Sequence, residues 1–231
     1  MMSQLKNPKT AQLNWTKQYR IIPSVYPPID FFEKYLDEDE FEAAWYLESL
    51  TNDRLRDMAG DISLVRPEDR IFGPGSTPIM AAFTHIGEPS RFSDGSYGVY
   101  YASKDLETAI RETVYRREIF LRRTHEPPCH VDMRIYEGKV RKPMHNIRTK
   151  AYSSLHETDN YSASQAFASR LREEGSWGLV YYSVRHQGGE CIAAFRPPAI
   201  SVPRQSQHLA YIWNGDKIVS VYRKSDLFFR F

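Results

Sequence analysis

The sequence predicts an α+β fold built around a largely antiparallel or mixed sheet. Three observations point there. Short runs rich in β-branched and aromatic residues recur from Tyr97 to Tyr222. Turn signals rather than helices join most of them, which argues against the regular strand–helix alternation of a doubly wound parallel sheet. Hydrophobic residues fill 41% of the 231 positions, enough to bury a full core.

Taken in order, residues 1–29 read as irregular, punctuated by Pro23, Pro27 and Pro28. Asp30 with Glu33 has the form of a helix cap. Phe41, Ala44, Trp45, Glu48, Leu55 and Met58 then give a partly amphipathic helical pattern, which Gly60 can end. Residues 30–60 are therefore expected to be helical, within an N-terminal helical extension over 1–65. The main domain is expected over 66–231. After Pro67 and the turn-forming Gly73-Pro74-Gly75, Ile79–Thr84 reads as a short buried strand and Tyr97–Ala102 as a second. Asp105, with Thr108 three residues on, opens a helix to about Phe120 with Leu106, Ala109, Ile110, Thr113 and Val114 on its apolar stripe. His130–Tyr136 alternates as a strand and is expected to turn at Glu137-Gly138 into a return over Lys139–Arg141. Ser162 and Gln165 mark another helix start, reaching about Glu174. Trp177–Val184 and Glu190–Phe195 are strands joined through Gly188-Gly189. Leu209–Trp213, Asn214-Gly215 and Ile218–Tyr222 form a terminal hairpin.

No window approaches ~18 uninterrupted apolar residues, so no membrane span is expected. Met1–Arg20 is polar and lacks the apolar run of a signal peptide. Cys129 and Cys191 make no disulfide framework, and the expected location is the cytoplasm. The scattered histidines show no metal-ligand spacing, so no metal site is expected. A net charge of +2 conceals an asymmetry. Residues 30–69 hold thirteen Asp/Glu against four Lys/Arg, and residues 111–150 hold eleven Lys/Arg against five Asp/Glu. The basic stretch suits a dinucleotide, a nucleic acid or an acidic partner, and equally the solvated face of charged helices.

Four residues from separate elements could carry chemistry. Arg91 precedes a strand, and its planar fork suits a pyrophosphate; otherwise it is a surface loop arginine. Tyr101, near a strand end, can stack on a ring and hydrogen-bond through its hydroxyl; otherwise it is a core aromatic. Tyr100 points to the opposite strand face. Glu112 lies off the apolar stripe of its helix, where a carboxylate can stabilise an oxocarbenium-like sugar; otherwise it is a solvating surface residue. Ser183 ends a strand without a nucleophile-elbow pattern. It reads as a hydrogen-bonding group toward ribose or an amide, or as a serine satisfying the backbone. Gly73-Pro74-Gly75-Ser76 lacks the lysine of a phosphate loop and reads as a tight turn. Cys191 reads as a small buried hydrophobe. Arg116-Arg117 and Arg122-Arg123 have no nucleic-acid motif beside them.

These residues also carry a resemblance. The stretch Arg91-Phe92-Ser93, Gly98-Val99-Tyr100-Tyr101-Ala102 and Glu107-Thr108-Ala109-Ile110-Arg111-Glu112 is similar to the arginine–tyrosine–glutamate core of the RES-domain toxins. Gly178–Cys191 resembles that family's serine block, and Gly73–His85 resembles a segment of its larger members. The resemblance spans roughly residues 70–200. It implies an ADP-ribosyltransferase-like split mixed sheet with NAD in a central cleft. It implies loss of NAD by hydrolysis or by phosphorolysis, with inorganic phosphate as a possible co-substrate and no further cofactor. Arg91 would hold the pyrophosphate or the attacking anion, Tyr101 would position the nicotinamide side, Glu112 would stabilise the ribosyl cation, and Ser183 would orient ribose or nicotinamide. The implied partner is an Xre-like antitoxin, with nucleic acid reached only through it; a homodimer stays open. Three other readings stay open beside this one: an ADP-ribosyltransferase acting on a macromolecule, a nucleic-acid-directed toxin, and a binding module without turnover.

Overall fold

In a computed structural model, residues 5–24 and 60–224 are described. Among them, nine strands form one mixed sheet in the order β1-β5-β6-β7-β3-β2-β4-β8-β9. The strands are β1 Thr10–Ala11, β2 Gln18–Pro23, β3 Tyr100–Ser103, β4 Cys129–Gly138, β5 Met144–Asn146, β6 Gly178–Tyr182, β7 Glu190–Ala194, β8 Arg204–Trp213 and β9 Ile218–Arg223. Only β5 and β6 pair parallel; the other pairs are antiparallel. The expected α+β class with a split mixed sheet is present.

Helices α1 Thr77–Thr84, α2 Leu106–Arg123 and α3 Ser162–Glu173 cover the sheet. The period-2 alternation of β6 and β7 sends their side chains into two cores. Val180, Ile192 and Ala194 pack with Ile79, Met80 and Phe83 of α1. Leu179, Tyr181, Cys191 and Ala193 pack with Phe167, Ala168 and Leu171 of α3. A third core joins Ala109 and the flanking Leu106 and Ile110 of α2 to Ile21, Met133, Ile135, Leu209 and Tyr211. Asp105 caps α2, its carboxylate accepting from Thr108 N at 2.8 Å, as the sequence indicated.

The sheet is held together unevenly. β3 pairs with β7 along its whole length, from Tyr100↔Ala194 to Ser103↔Cys191. Its pairing with β2 consists of Tyr19↔Ser103 alone. β2 meanwhile runs along β4 for six residues, Gln18↔Gly138 to Pro23↔Met133. β2 and β3 therefore part company after one contact, and a cleft opens between them.

Four expectations need correction. Ile79–Thr84 belongs to a helix, not a strand. Pro78 lies in the first turn, where its missing N–H is harmless, and a short apolar run cannot by itself separate a buried strand from a buried helix. Lys139–Arg141 is not a returning strand. β4 pairs with β2 and β8, both distant in sequence, and Val140 makes only an isolated bridge to Ile200. Residues 1–29 are not uniformly irregular, because β1 and β2 lie there and β2 sits inside the sheet. Ser162 does not cap α3: the cap position is Tyr161, without a side-chain bond. The expected helix over residues 30–60 lies outside the described residues, save Gly60. The terminal hairpin forms as expected, with β8 beginning earlier, at Arg204.

Gly98 lets α1 pack directly against the start of β3. A Cβ there would fall 2.3 Å from Ala82 O and 2.4 Å from Phe83 Cα, both backbone atoms that cannot swing aside. We expect Gly98→Ala to cost about 3 kcal/mol and to lower Tm by roughly 6–12 °C in a thermal melt. An unchanged Tm would show that α1 can shift without loss.

Candidate active site

The cleft between β2 and β3 leads into a cavity of about 170 Å³. Its walls include Tyr19–Ile22 of β2, Tyr101–Ser103 of β3, Glu112, Thr113, Tyr115 and Arg116 of α2, and Arg91, Tyr161, Tyr181 and Arg185. Arg91, Tyr101 and Glu112, the candidates from three separate elements, thus meet in one place. Ser183 stands directly behind Glu112.

Glu112 is half-buried on α2. Its Oε1 accepts from Ser183 Oγ at 2.6 Å. Ser183 Oγ in turn accepts from Arg185 N at 3.1 Å and His186 N at 2.9 Å. The hydroxyl has one proton and two lone pairs, so all its capacity is used. The structure spends Ser183 on orienting Glu112.

Arg91 is buried, 6% exposed. Nη1 donates to Glu157 O at 2.7 Å and Leu155 O at 3.5 Å, and its Cζ lies 4.7 Å over the Tyr161 ring. Its Nε and Nη2 make no hydrogen bond to the described residues. The loop bearing it is pinned from two sides. The Tyr101 hydroxyl accepts from Phe92 N at 3.0 Å and pairs with Ser90 Oγ at 2.8 Å. Gln165, which the sequence suggested as part of a cap, instead donates to Ser90 O at 2.9 Å and Ser93 O at 3.2 Å. Tyr101 therefore offers its ring to the cavity while its hydroxyl holds the Arg91 loop. Tyr100 points away, into the α1 core, as expected.

Sequence reasoning passed over Arg20. It projects from β2 into the gap, donates from Nη1 to Tyr101 O at 3.1 Å, and stacks 4.5 Å over Tyr100. Its Nε is buried without a partner among the described residues. Burial pulls its pKa below the usual arginine range, yet the guanidinium keeps its charge. The available signal was a cation in the middle of the apolar run Tyr19-Arg20-Ile21-Ile22. Arg185, with its Cζ 3.4 Å over Tyr115, and Arg116 complete the cationic lining. Arg122 and Arg123 lie elsewhere, paired with Glu118, Asp216 and Glu88 on the exposed helix face.

Burial, then the neighbouring Glu112, pushes the Cys191 thiol up to about 12, so it is no thiolate nucleophile at neutral pH. No group of three metal-ligating side chains occurs among the described residues, and none of their helices is long and apolar enough to cross a membrane.

Comparison with known proteins fits this geometry into a family. The RES domain model matches residues 67–214, more than half of the chain. The chain belongs to the RES domain family. An uncharacterized protein of Sinorhizobium fredii (strain NBRC 101917 / NGR234), y4oC, is 29% identical over 222 residues, 90% of this chain and 87% of its own. Among solved structures, the M. tuberculosis MbcT–MbcA toxin–antitoxin complex gives a TM-score of 0.40 at 11% identity, covering 55% of this chain and 72% of that one. Arg20 precedes the stretch matched by the RES model, yet it lines the same cavity as Arg91 and Glu112.

His156 adjoins the site and offers a pH test. Its Nδ1 lies 3.0 Å from Tyr152 O, and its Nε2 accepts from Tyr182 N at 3.3 Å, a pattern that requires the neutral ring. Burial lowers its pKa from the ordinary 6.5, and Arg91 adds to the effect. Below 6.5 the unfolded chain takes up the proton first. Stability is thus full above that value and falls as pH drops toward the folded pKa. We expect Tm to decline with acidification from about pH 7 and His156→Gln to show a shallower decline. Identical slopes would remove His156 from the account.

Proposed function

We propose that this RES-family chain is a toxin that depletes NAD by breaking the bond between nicotinamide and ribose. One observation supports the reading above others: Arg20, Arg91, Arg116 and Arg185 line a cavity in which Glu112 is the single carboxylate among the described residues. NAD carries the complementary pattern. Its pyrophosphate is anionic and its nicotinamide ring is a cation. The forked guanidinium groups suit the pyrophosphate. Glu112 suits the other end.

In the reaction, the bond from ribose C1′ to the ring nitrogen breaks and its electron pair goes to nicotinamide, which leaves neutral. The ribose becomes oxocarbenium-like. Glu112, with Oε2 uncommitted among the described residues, stabilises that charge better than it stabilises the bound substrate. A new bond to C1′ then forms from an oxygen of water or of inorganic phosphate. At about 170 Å³ the cavity is smaller than the roughly 300–1,000 Å³ of a site for a whole drug-sized ligand. It takes the ring and its sugar, and the rest of the dinucleotide crosses the arginine-lined mouth. An Xre-like antitoxin is the proposed partner, in the cytoplasm, where it restrains the toxin by covering that mouth.

The deciding experiment mixes partner-free protein with NAD, with and without inorganic phosphate, and follows nicotinamide and the ribosyl product. We expect nicotinamide release. Release in both buffers identifies a hydrolase, and release only with phosphate identifies a phosphorylase. We expect Glu112→Ala to slow release by about 10²- to 10³-fold or more and to stay folded, because the side chain lies outside the three cores, with Tm lowered by several degrees at roughly 1–3 kcal/mol for the Ser183 hydroxyl left unpaired. Full turnover by folded Glu112→Ala protein would overturn its role. No release by folded wild-type protein would overturn the reading, and label passing from NAD to a macromolecule would replace it with ADP-ribosyl transfer.

A further inference from the structure

Thr108 and Glu112 are one helical turn apart on the same face of α2. Both reach the loop between β6 and β7. Glu112 takes the Ser183 hydroxyl, as described. Thr108 Oγ1 lies 2.8 Å from His186 Nδ1, and 2.9 and 2.8 Å from the two oxygens of Asp105. The loop is closed on itself: Ser183 N donates to Gly189 O, Gly189 N to His186 O, and His186 N to Ser183 Oγ. Thr108 is wholly buried. Its fit demands a glycine opposite, since a Cβ at Gly189 would fall 2.6 Å from Thr108 Oγ1 and 2.7 Å from its Cγ2.

Donor counting fixes the protons. The Asp105 carboxylate only accepts, so the single hydroxyl proton of Thr108 goes to it. The hydroxyl then has only lone pairs to offer His186. His186 must therefore carry its proton on Nδ1. Its other nitrogen, Nε2, lies 3.6 Å from the exposed Glu107.

We propose that Thr108 and His186 are positioning residues for the reaction at Glu112. Asp105–Thr108–His186 is one rung between α2 and the loop, and Glu112–Ser183 is the next. The first rung sets the loop at a fixed height on the helix. The Ser183 hydroxyl then meets Glu112 Oε1, and Oε2 is turned toward the cavity. Neither Thr108 nor His186 lines that cavity, so they act through Ser183 and not on the substrate. The kinetic consequence rests on the NAD-cleaving reading; the rung itself does not.

The test has two arms. In the kinetic arm, Thr108→Val keeps the shape and removes the hydroxyl. We expect kcat for nicotinamide release to fall about 10- to 100-fold with KM within about threefold, and Thr108→Ser to restore kcat. His186→Asn retains a donor near the Nδ1 position and should exceed His186→Gln, whose amide lies toward Glu107. In the structural arm, ¹⁵N NMR of histidine-labelled protein should show His186 protonated at Nδ1, with that signal altered in Thr108→Val. Wild-type kcat in folded Thr108→Val and His186→Gln proteins would overturn the proposal. So would a wild-type His186 protonated at Nε2 alone, or losses that follow Tm with no kcat-against-KM split. If wild-type protein releases no nicotinamide, the NAD reading fails, and the NMR arm alone decides whether the rung exists.

Discussion

The site exists because β2 and β3 stop pairing after Tyr19↔Ser103. A sheet that zipped fully would place β2 against Tyr101 and leave no room for a ligand. Two features oppose closure. β2 is committed to β4 along its whole length, so its direction is set by the other half of the sheet. And Arg20 stands in the gap, with its guanidinium on Tyr101 O and the Tyr100 ring. A charge in such a place is costly unless something compensates it. Here one donor is satisfied by a backbone carbonyl and another, Nε, is left unpaired among the described residues. An incompletely compensated cation beside a cavity is poorly explained as a device for stability.

The split divides the labour of the scaffold. On one side, α2 packs on β2, β4 and β8 through Ala109, Ile21, Met133 and Tyr211. On the other, α3 packs on β6 and β7 through Phe167, Leu171, Leu179 and Ala193. Arg20 and Glu112 belong to the first side, and Ser183 leaves the end of β6 on the second. The Ser183–Glu112 hydrogen bond therefore ties the halves together at the point where the chemistry is proposed. Functional groups placed on rigid elements from both banks of a cleft have fixed mutual geometry, whereas groups on one loop would not.

Legibility from the sequence followed the range of the interactions. The Asp105 cap, the α2 helix and the Asn214-Gly215 hairpin are local, and the sequence carries them openly. The place of Glu112 off the apolar stripe was also legible in the helical period, but the period alone fits a solvating surface residue equally, and only the family resemblance singled it out. What depends on distant partners was not legible. Ile79–Thr84 has the length and composition of a buried strand, and its helical form is used by distant partners, Val180, Ile192 and Ala194 of the sheet and the open backbone at Gly98. Lys139–Arg141 looks like a hairpin return, until β2 arrives from more than a hundred residues upstream to take that edge of β4. Arg20 was missed for the same reason. Its strand is short, lies among turn signals, and gains meaning only opposite Tyr101.

Hydrogen-bond accounting also separates the roles of the four residues that sequence alone ranked together. Ser183 gives its one proton to Glu112 and fills its lone pairs from Arg185 N and His186 N. The Tyr101 hydroxyl is occupied by Phe92 N and Ser90 Oγ. Ser183 cannot serve a ligand without giving up a contact that shapes the site, at about 1–3 kcal/mol for a buried polar group left unpaired. Unused capacity sits elsewhere, in Oε2 of Glu112 and in Nε and Nη2 of Arg91. These are one acceptor and one forked cation on residues that line one cavity. Spare bonds thus fall on residues that line the cavity, and the saturated Ser183 holds one of them still. On this division Tyr101 is to Arg91 what Ser183 is to Glu112. Glu112 is held by the Ser183 hydroxyl, and the loop that bears Arg91 by the Tyr101 hydroxyl.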